Sequence, residues 1–180
     1  MLFTANYRSP LGDITLASDG QALTGLWLDG QRHFGRTLGI THEERSGLPV
    51  FEESCRWLDV YFSGREPDFT PPLLLQGTAF QRRVWEALLT IPYGQTVTYG
   101  ELARRLGCRS AQAVGGAVGR NPISIIVPCH RVIGSNGALT GYAGGLDRKR
   151  TLLELEQKIY FAFWQINFSM SQKVRIFAVS

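Results

Sequence analysis

The 180-residue sequence predicts an α+β fold. An N-terminal antiparallel β-sheet subdomain spans 1–73, and a mostly helical subdomain carrying a helix-turn-helix spans 74–156. Three observations predict it. Short β-rich runs near the N-terminus are separated by turn-length links. A Pro-rich stretch with Pro67, Pro71 and Pro72 then interrupts the chain. Beyond it the charge changes sign and helical periodicity takes over.

Residues 2–8, 13–18 and 22–29 are the β-rich runs; Ser9-Pro10-Leu11-Gly12 and Asp19-Gly20 between them read as tight turns, giving an antiparallel meander. Residues 30–48 are polar, with weak periodicity. Over 49–62, Val50, Cys55, Leu58, Tyr61 and Phe62 recur at near-helical spacing behind Pro49, a residue suited to a first helical turn. Gly64 and the prolines end that helix. Thr78 caps the next one, which groups Phe80, Val84, Trp85, Leu88 and Leu89 on one face and stops at Pro92. After Thr96-Val97-Thr98 a helix runs from Tyr99 to the stop at Gly107. Ser110 caps another that ends at Asn121-Pro122. Helix, Gly-containing turn, helix is the helix-turn-helix outline.

The second of these helices contains Gly115, Gly116 and Gly119 beside Ala111, Ala113 and Ala117. Each interior Gly costs about 1 kcal/mol against Ala, so a close approach must offset the cost. Either a neighbouring helix packs tightly against it, or a thin helix enters a nucleic-acid groove; the minor groove is only about 6 Å wide.

Apolar residues make up 44% and charged residues 19%, which excludes a disordered chain. No run approaches the roughly 18 apolar residues of a spanning helix. The N-terminus lacks the pattern of a signal peptide, and three dispersed cysteines fit a reducing cytoplasm better than a disulfide framework. Net charge is +4, unevenly distributed: −4 over 1–76, +5 over 77–156 and +3 over 157–180, with 16 of 19 basic residues Arg. A basic second half is expected to meet an anion, nucleic acid foremost. The segment 157–180 is aromatic-rich and has no assigned role.

Ile123–Val127 reads as a buried run that delivers Pro128-Cys129-His130-Arg131-Val132. A cysteine attacks only as thiolate, which an adjacent His and Arg are expected to favour; otherwise Cys129 is an inert buried thiol. Cys55 and Cys108 lack such neighbours and read as packing residues. His33, His42 and His130 have no ligand-spaced partners, so no metal is expected, and no phosphate loop or other cofactor motif is present. Gly141–Gly145 reads as a loop or lid near Cys129.

Pro128-Cys-His-Arg-Val132, with Ile91-Pro-Tyr-Gly94, Thr98-Tyr-Gly-Glu-Leu-Ala103, Ala113-Val-Gly-Gly-Ala117, Asn121-Pro122 and Gly141-Tyr-Ala-Gly-Gly145, resembles the O6-alkylguanine-DNA alkyltransferases. The strong match covers 78–156; the N-terminal meander with Ser9-Pro-Leu-Gly12 matches more weakly. The resemblance implies a ribonuclease-H-like N-terminal subdomain and repair by direct reversal. An alkyl group on O6 of guanine, and also on O4 of thymine, would pass irreversibly to Cys129 in a single turnover. It further implies His130 as base through a water, Glu156 as its orienting acid and Tyr99 as donor to the departing guanine. Asn121 would tie the recognition helix to the active-site loop. The backbone near Cys129 and Val132 would read the guanine edge, and Tyr142 would wall the pocket. Gln112, Ala113, Gly115, Gly116 and Arg120 of the helix, with Ala143 and Lys149, complete the expected substrate and DNA contacts. The partner would be double-stranded DNA, entered through the minor groove with the base flipped out. A monomer without metal or cofactor is expected; cooperative clustering on DNA and the preferred alkyl size are left open.

One departure stands out. The family carries an Arg 17 residues before the cysteine, where this chain has Gln112, so weaker extrusion is expected with the chemistry intact. A catalytically impaired, alkylated-guanine-binding relative is therefore one alternative, and a Cys–His hydrolase with true turnover is another.

Overall fold

The computed structural model describes residues 1–39 and 41–157; the aromatic segment lies, beyond residue 157, outside the described residues. β1 (Leu2–Ser9), β2 (Gly12–Ser18) and β3 (Leu23–Leu28) form the antiparallel meander. The first turn closes at Ser9 and Gly12, where Gly12 adopts φ 105°, a conformation few other residues tolerate. A fourth strand, β4 (His42–Glu44), pairs parallel with Leu2–Thr4. The sheet order is thus β3-β2-β1-β4, and the sheet is mixed. All three β4 residues are exposed; its pairing runs through the backbone and leaves no apolar alternation in the polar 30–48 stretch.

β3 is buried along its whole length. β2 covers one edge; Leu73 and Ile123 bridge the other through Leu23 and Leu26. One strand therefore receives both the linker and the loop that leads to Cys129. α1 (Pro49–Phe62) crosses β1–β3 and buries Val50, Phe51, Ser54, Trp57, Leu58 and Tyr61. Cys55 and Phe62, placed on its apolar face by spacing, are only partly buried.

α2 (Ala79–Leu89) starts from a capping box between Thr78 and Gln81. It buries Val84, Trp85 and Leu88, whereas Leu89, expected on the same face, is 42% exposed. β5 (Val97–Thr98) leads directly into α3 (Tyr99–Arg105), whose N-cap Thr98 forms a second capping box with Glu101. Gly107, at φ 65°, ends that turn. α4 (Ala111–Val118) is capped by Ser110 and packs on α2 and α3 through Val114, Ala117 and Val118. β6 (Val132–Ile133) pairs parallel with β5, and α5 (146–157) crosses back towards the first subdomain. Arg148 on α5 donates to the carbonyls of Leu11 and Asp29. The two subdomains share one continuous core. Among the described residues no helix is long and apolar enough to cross a membrane.

Candidate active site

Cys129 opens a short 3-10 turn, Cys129–Arg131, at the end of the buried segment 121–128. Asn121 shapes the approach to it. Its amide donates to the carbonyls of Ile123 at 3.1 Å and Val127 at 2.8 Å, and its Oδ1 accepts from Ile123 N at 3.0 Å. Within this cage Ile125 sits at φ 70°. A β-branched residue there is strained and persists only where its surroundings over-determine it. Three hydrogen bonds from one side chain, with the Leu26–Ile123 bridge, supply that determination.

The chemistry-bearing side chains meet behind the turn. His130 is fully buried, and its Nε2 lies 2.7 Å from Glu156 Oε1 on α5. That bond places the ring proton on Nε2 and leaves Nδ1, which has no partner among the described residues, as the free lone pair. Glu156 also accepts from Arg131 Nε at 2.9 Å and Nη2 at 3.1 Å, from Gly94 N at 3.0 Å and from Tyr61 Oη at 2.8 Å. Burial alone would raise its carboxyl; the hydrogen bonds and charges of His130 and Arg131 overcome this and hold it at about 2. Burial pushes His130 the other way, below its usual range, against the pull of Glu156. Burial thus favours the neutral imidazole.

The electrostatics of the thiol differ from those expected from sequence. Burial raises Cys129, and the groups that pull it back down are the Asn121 side chain and Lys149. Arg131 is committed to Glu156 and to the Ile91 carbonyl at 2.6 Å. Adjacency in sequence does not aim its guanidinium at the sulfur, because successive residues of a tight turn diverge. Lys149, expected at the DNA surface, is fully buried, and its Nζ donates to the carbonyls of Val132 and Thr140. Desolvation lowers it to about 8. Of the backbone near Cys129 and Val132, expected to read the substrate edge, the Val132 carbonyl thus has a protein partner.

Tyr99 and Tyr142 flank this cluster. Tyr99 Oη donates to the Thr140 and Gly141 carbonyls at 3.1 and 3.3 Å, and burial raises its ionisation. Tyr142 is buried with its ring 6.4 Å from that of His130. A cavity of about 320 Å³ lies beside them. Gly115, Gly116, Gly119 and Arg120 form one wall, and Gly141, Tyr142 and Ala143 form the other. Internal packing does not explain the glycines. A Cβ on Gly115 would meet only the Tyr99 ring at 3.6 Å, and one on Gly116 only the end of Arg120. All three line the cavity, and a Cβ on Gly119 would meet the Gly115 and Gly116 carbonyls at 3.4 and 4.0 Å. Gln112 and Ala113 lie on the exposed side of α4, and Arg120 turns back to the Gly116 carbonyl at 2.9 Å.

Sequence reasoning missed Arg32 and His33, which rim the cavity from the first subdomain and are anchored by the Arg32 N–Ala143 O bond. It also missed Tyr61 as a partner of Glu156. No local signal marked the first pair, and the helical spacing of Tyr61 marked it only as core.

Residues 2–75 match the model of the 6-O-methylguanine DNA methyltransferase ribonuclease-like domain, and residues 79–158 match that of its DNA-binding domain. The chain belongs to the 6-O-methylguanine DNA methyltransferase family. A methylated-DNA–protein-cysteine methyltransferase of Mycobacterium leprae is 49% identical over 87% of this chain and 93% of its own. One from Methanosarcina acetivorans is 46% identical over 86% and 98%. The crystal structure of Mycobacterium tuberculosis OGT in complex with DNA superposes with a TM-score of 0.78 at 49% identity, covering 87% of this chain and 92% of that one.

Proposed function

We propose that this family member repairs DNA by moving an alkyl group from O6 of guanine to Cys129, and that each molecule does so once. The observation that carries the reading is the buried Cys129–His130–Glu156 arrangement next to a glycine-lined cavity. Residues 1–73 act as the framework. Residues 74–156 bind DNA and carry the reaction.

His130 Nδ1 takes the Cys129 proton through a water. The thiolate attacks the alkyl carbon, a C–S bond forms and the C–O6 bond breaks. The electron pair leaves with guanine as an anion to which the Tyr99 hydroxyl donates a hydrogen bond, and the proton taken up by His130 returns to that anion through water. Tyr99 suits this role because burial keeps it protonated. Glu156 stabilises the imidazolium while it exists. The thioether is stable, and no residue of the site returns the sulfur to a thiol, so activity ends after one event.

The target oxygen is hidden in a stacked duplex, so the nucleotide must be flipped into the cavity. The thin face of α4 suits an approach through the minor groove, and the Arg-rich second subdomain supplies phosphate contacts. Free thiols at Cys55, Cys108 and Cys129 fit a reducing cytoplasm. Intact-protein mass measurement after incubation with an O6-methylguanine duplex tests the reading. The expected product carries one methyl group, located on Cys129, and Cys129→Ser binds the duplex but gains none. Binding with no adduct would favour the impaired, DNA-sensing alternative. Methyl removal that continues past one equivalent with Cys129 left free would favour the hydrolase.

A further inference from the structure

We infer that Tyr61, supplied by the N-terminal subdomain, is a positioning residue for the His130–Glu156 pair: its hydroxyl lies 2.8 Å from Glu156 Oε1 and 3.3 Å from His130 Nε2 and limits the negative charge that Glu156 directs at the imidazole. The inference deepens the alkyl-transfer reading, and its kinetic arm rests on it.

Oε1 of Glu156 accepts three donors: His130 Nε2 at 2.7 Å, Tyr61 Oη at 2.8 Å and Arg131 Nη2 at 3.1 Å. Oε2 accepts two more, from Arg131 and Gly94. A carboxylate offers about four lone-pair sites, so the donors compete, and each weakens the hold of the carboxylate on the others. Of these donors only Tyr61 comes from α1. Its ring is fixed by stacking on Trp57 at 5.2 Å and 11°, and by edge contacts with Phe62, Tyr93 and His130. Burial and the Glu156 charge keep the phenol protonated, so it acts as a permanent donor.

The titratable and charged groups facing the pair are Tyr61 from α1, Tyr93 from the α2–β5 connection, Cys129 and Arg131 from the turn, Tyr142 from the glycine-rich loop and Lys149 from α5. Tyr61→Phe removes none of their charges and keeps the packed ring. It frees Oε1 to interact more strongly with the Nε2 proton, which favours imidazolium. The shorter bond to the carboxylate outweighs the 3.3 Å approach to the ring, so His130 should protonate at higher pH in the variant.

Two readouts test this on the full-length protein. One is the pH dependence of single-turnover methyl transfer from a saturating O6-methylguanine duplex. The other is the NMR titration of the His130 ring without DNA. In Tyr61→Phe both should move up by about one pH unit, equivalent to a tenfold change in protonation. Transfer then falls several-fold at the acid end and stays near wild type at pH 8. Site-specific 3-fluorotyrosine at position 61, a stronger donor, should move both down. A uniform rate loss at every pH with an unmoved ring titration would overturn the inference and leave Tyr61 a packing residue. If Tyr61→Phe fails to fold, the fluorotyrosine protein decides alone, and an unshifted titration overturns the inference. If wild-type protein transfers nothing, the alkyl-transfer reading fails while the ring titration still decides the role of Tyr61.

Discussion

Glu156 holds five hydrogen-bond donors from four residues drawn from three parts of the chain, so single substitutions there should be costly. Glu156→Gln leaves the Arg131 guanidinium buried against a neutral amide. Removing one partner of such a pair costs about 3–5 kcal/mol, and urea unfolding should register a loss of that order. The same variant should react slowly, because its imidazolium has lost its counter-charge. Gln112 presents the opposite case: it is exposed on α4, and its proposed part is in extrusion alone. Arg at that position would add a long planar cation able to fill the space of a flipped base. Gln112→Arg should therefore speed repair of duplex DNA and leave reaction with free O6-benzylguanine nearly unchanged. An equal gain with both substrates, or a slower duplex reaction alone, would remove Gln112 from the extrusion step.

The helices that position the site begin at side-chain caps. Thr98 accepts from Glu101 N at 3.1 Å, and its own N–H donates to Glu101 Oε2 at 2.7 Å. Tyr99 is the first residue of that helix, so the cap also sets where the phenol points. Thr98→Ala should cost about 1 kcal/mol in a denaturant melt and slow transfer as Tyr99 loses its anchor. Thr78→Ala, which caps α2 away from the cavity, should cost a similar amount with little change in rate. The Thr78 cap was legible in the sequence, as were α1 from Pro49 and the turns at Gly12 and Gly107. β4 was not, because three exposed residues paired only through backbone carry no periodic signal. The site was legible where a motif is local, as at Pro128–Val132, and not where partners come from 69 or more residues away. The Tyr61–His130 and Tyr61–Glu156 contacts are of that kind. Lys149 shows the converse error, since a lysine in a basic segment reads as surface until burial is known.

Across the whole molecule, charge and proton linkage set the conditions under which the protein works. The segment 77–156 carries +5 and 1–76 carries −4, so DNA affinity should fall steeply with salt as displaced counterions are replaced. A salt-independent affinity would contradict a phosphate-led interface. Stability should depend on pH through His130 and Glu156. Both folded values lie below the unfolded ones, so the unfolded chain binds protons that the native state refuses. Stability is full above about pH 6.5, the unfolded histidine value, and declines as pH drops below it. Glu156 adds its own loss between about 4.3, the unfolded value, and its folded value of about 2. Chemical denaturation at stepped pH checks the sign. In the proposed reaction Cys129 is consumed, and the most direct test is the number of guanines restored per protein molecule when O6-methylguanine duplex is in large excess. Repair should plateau at one per active molecule, reached together with complete methylation of Cys129. Repair that continues past one equivalent, or a plateau reached with Cys129 unmodified, would contradict it.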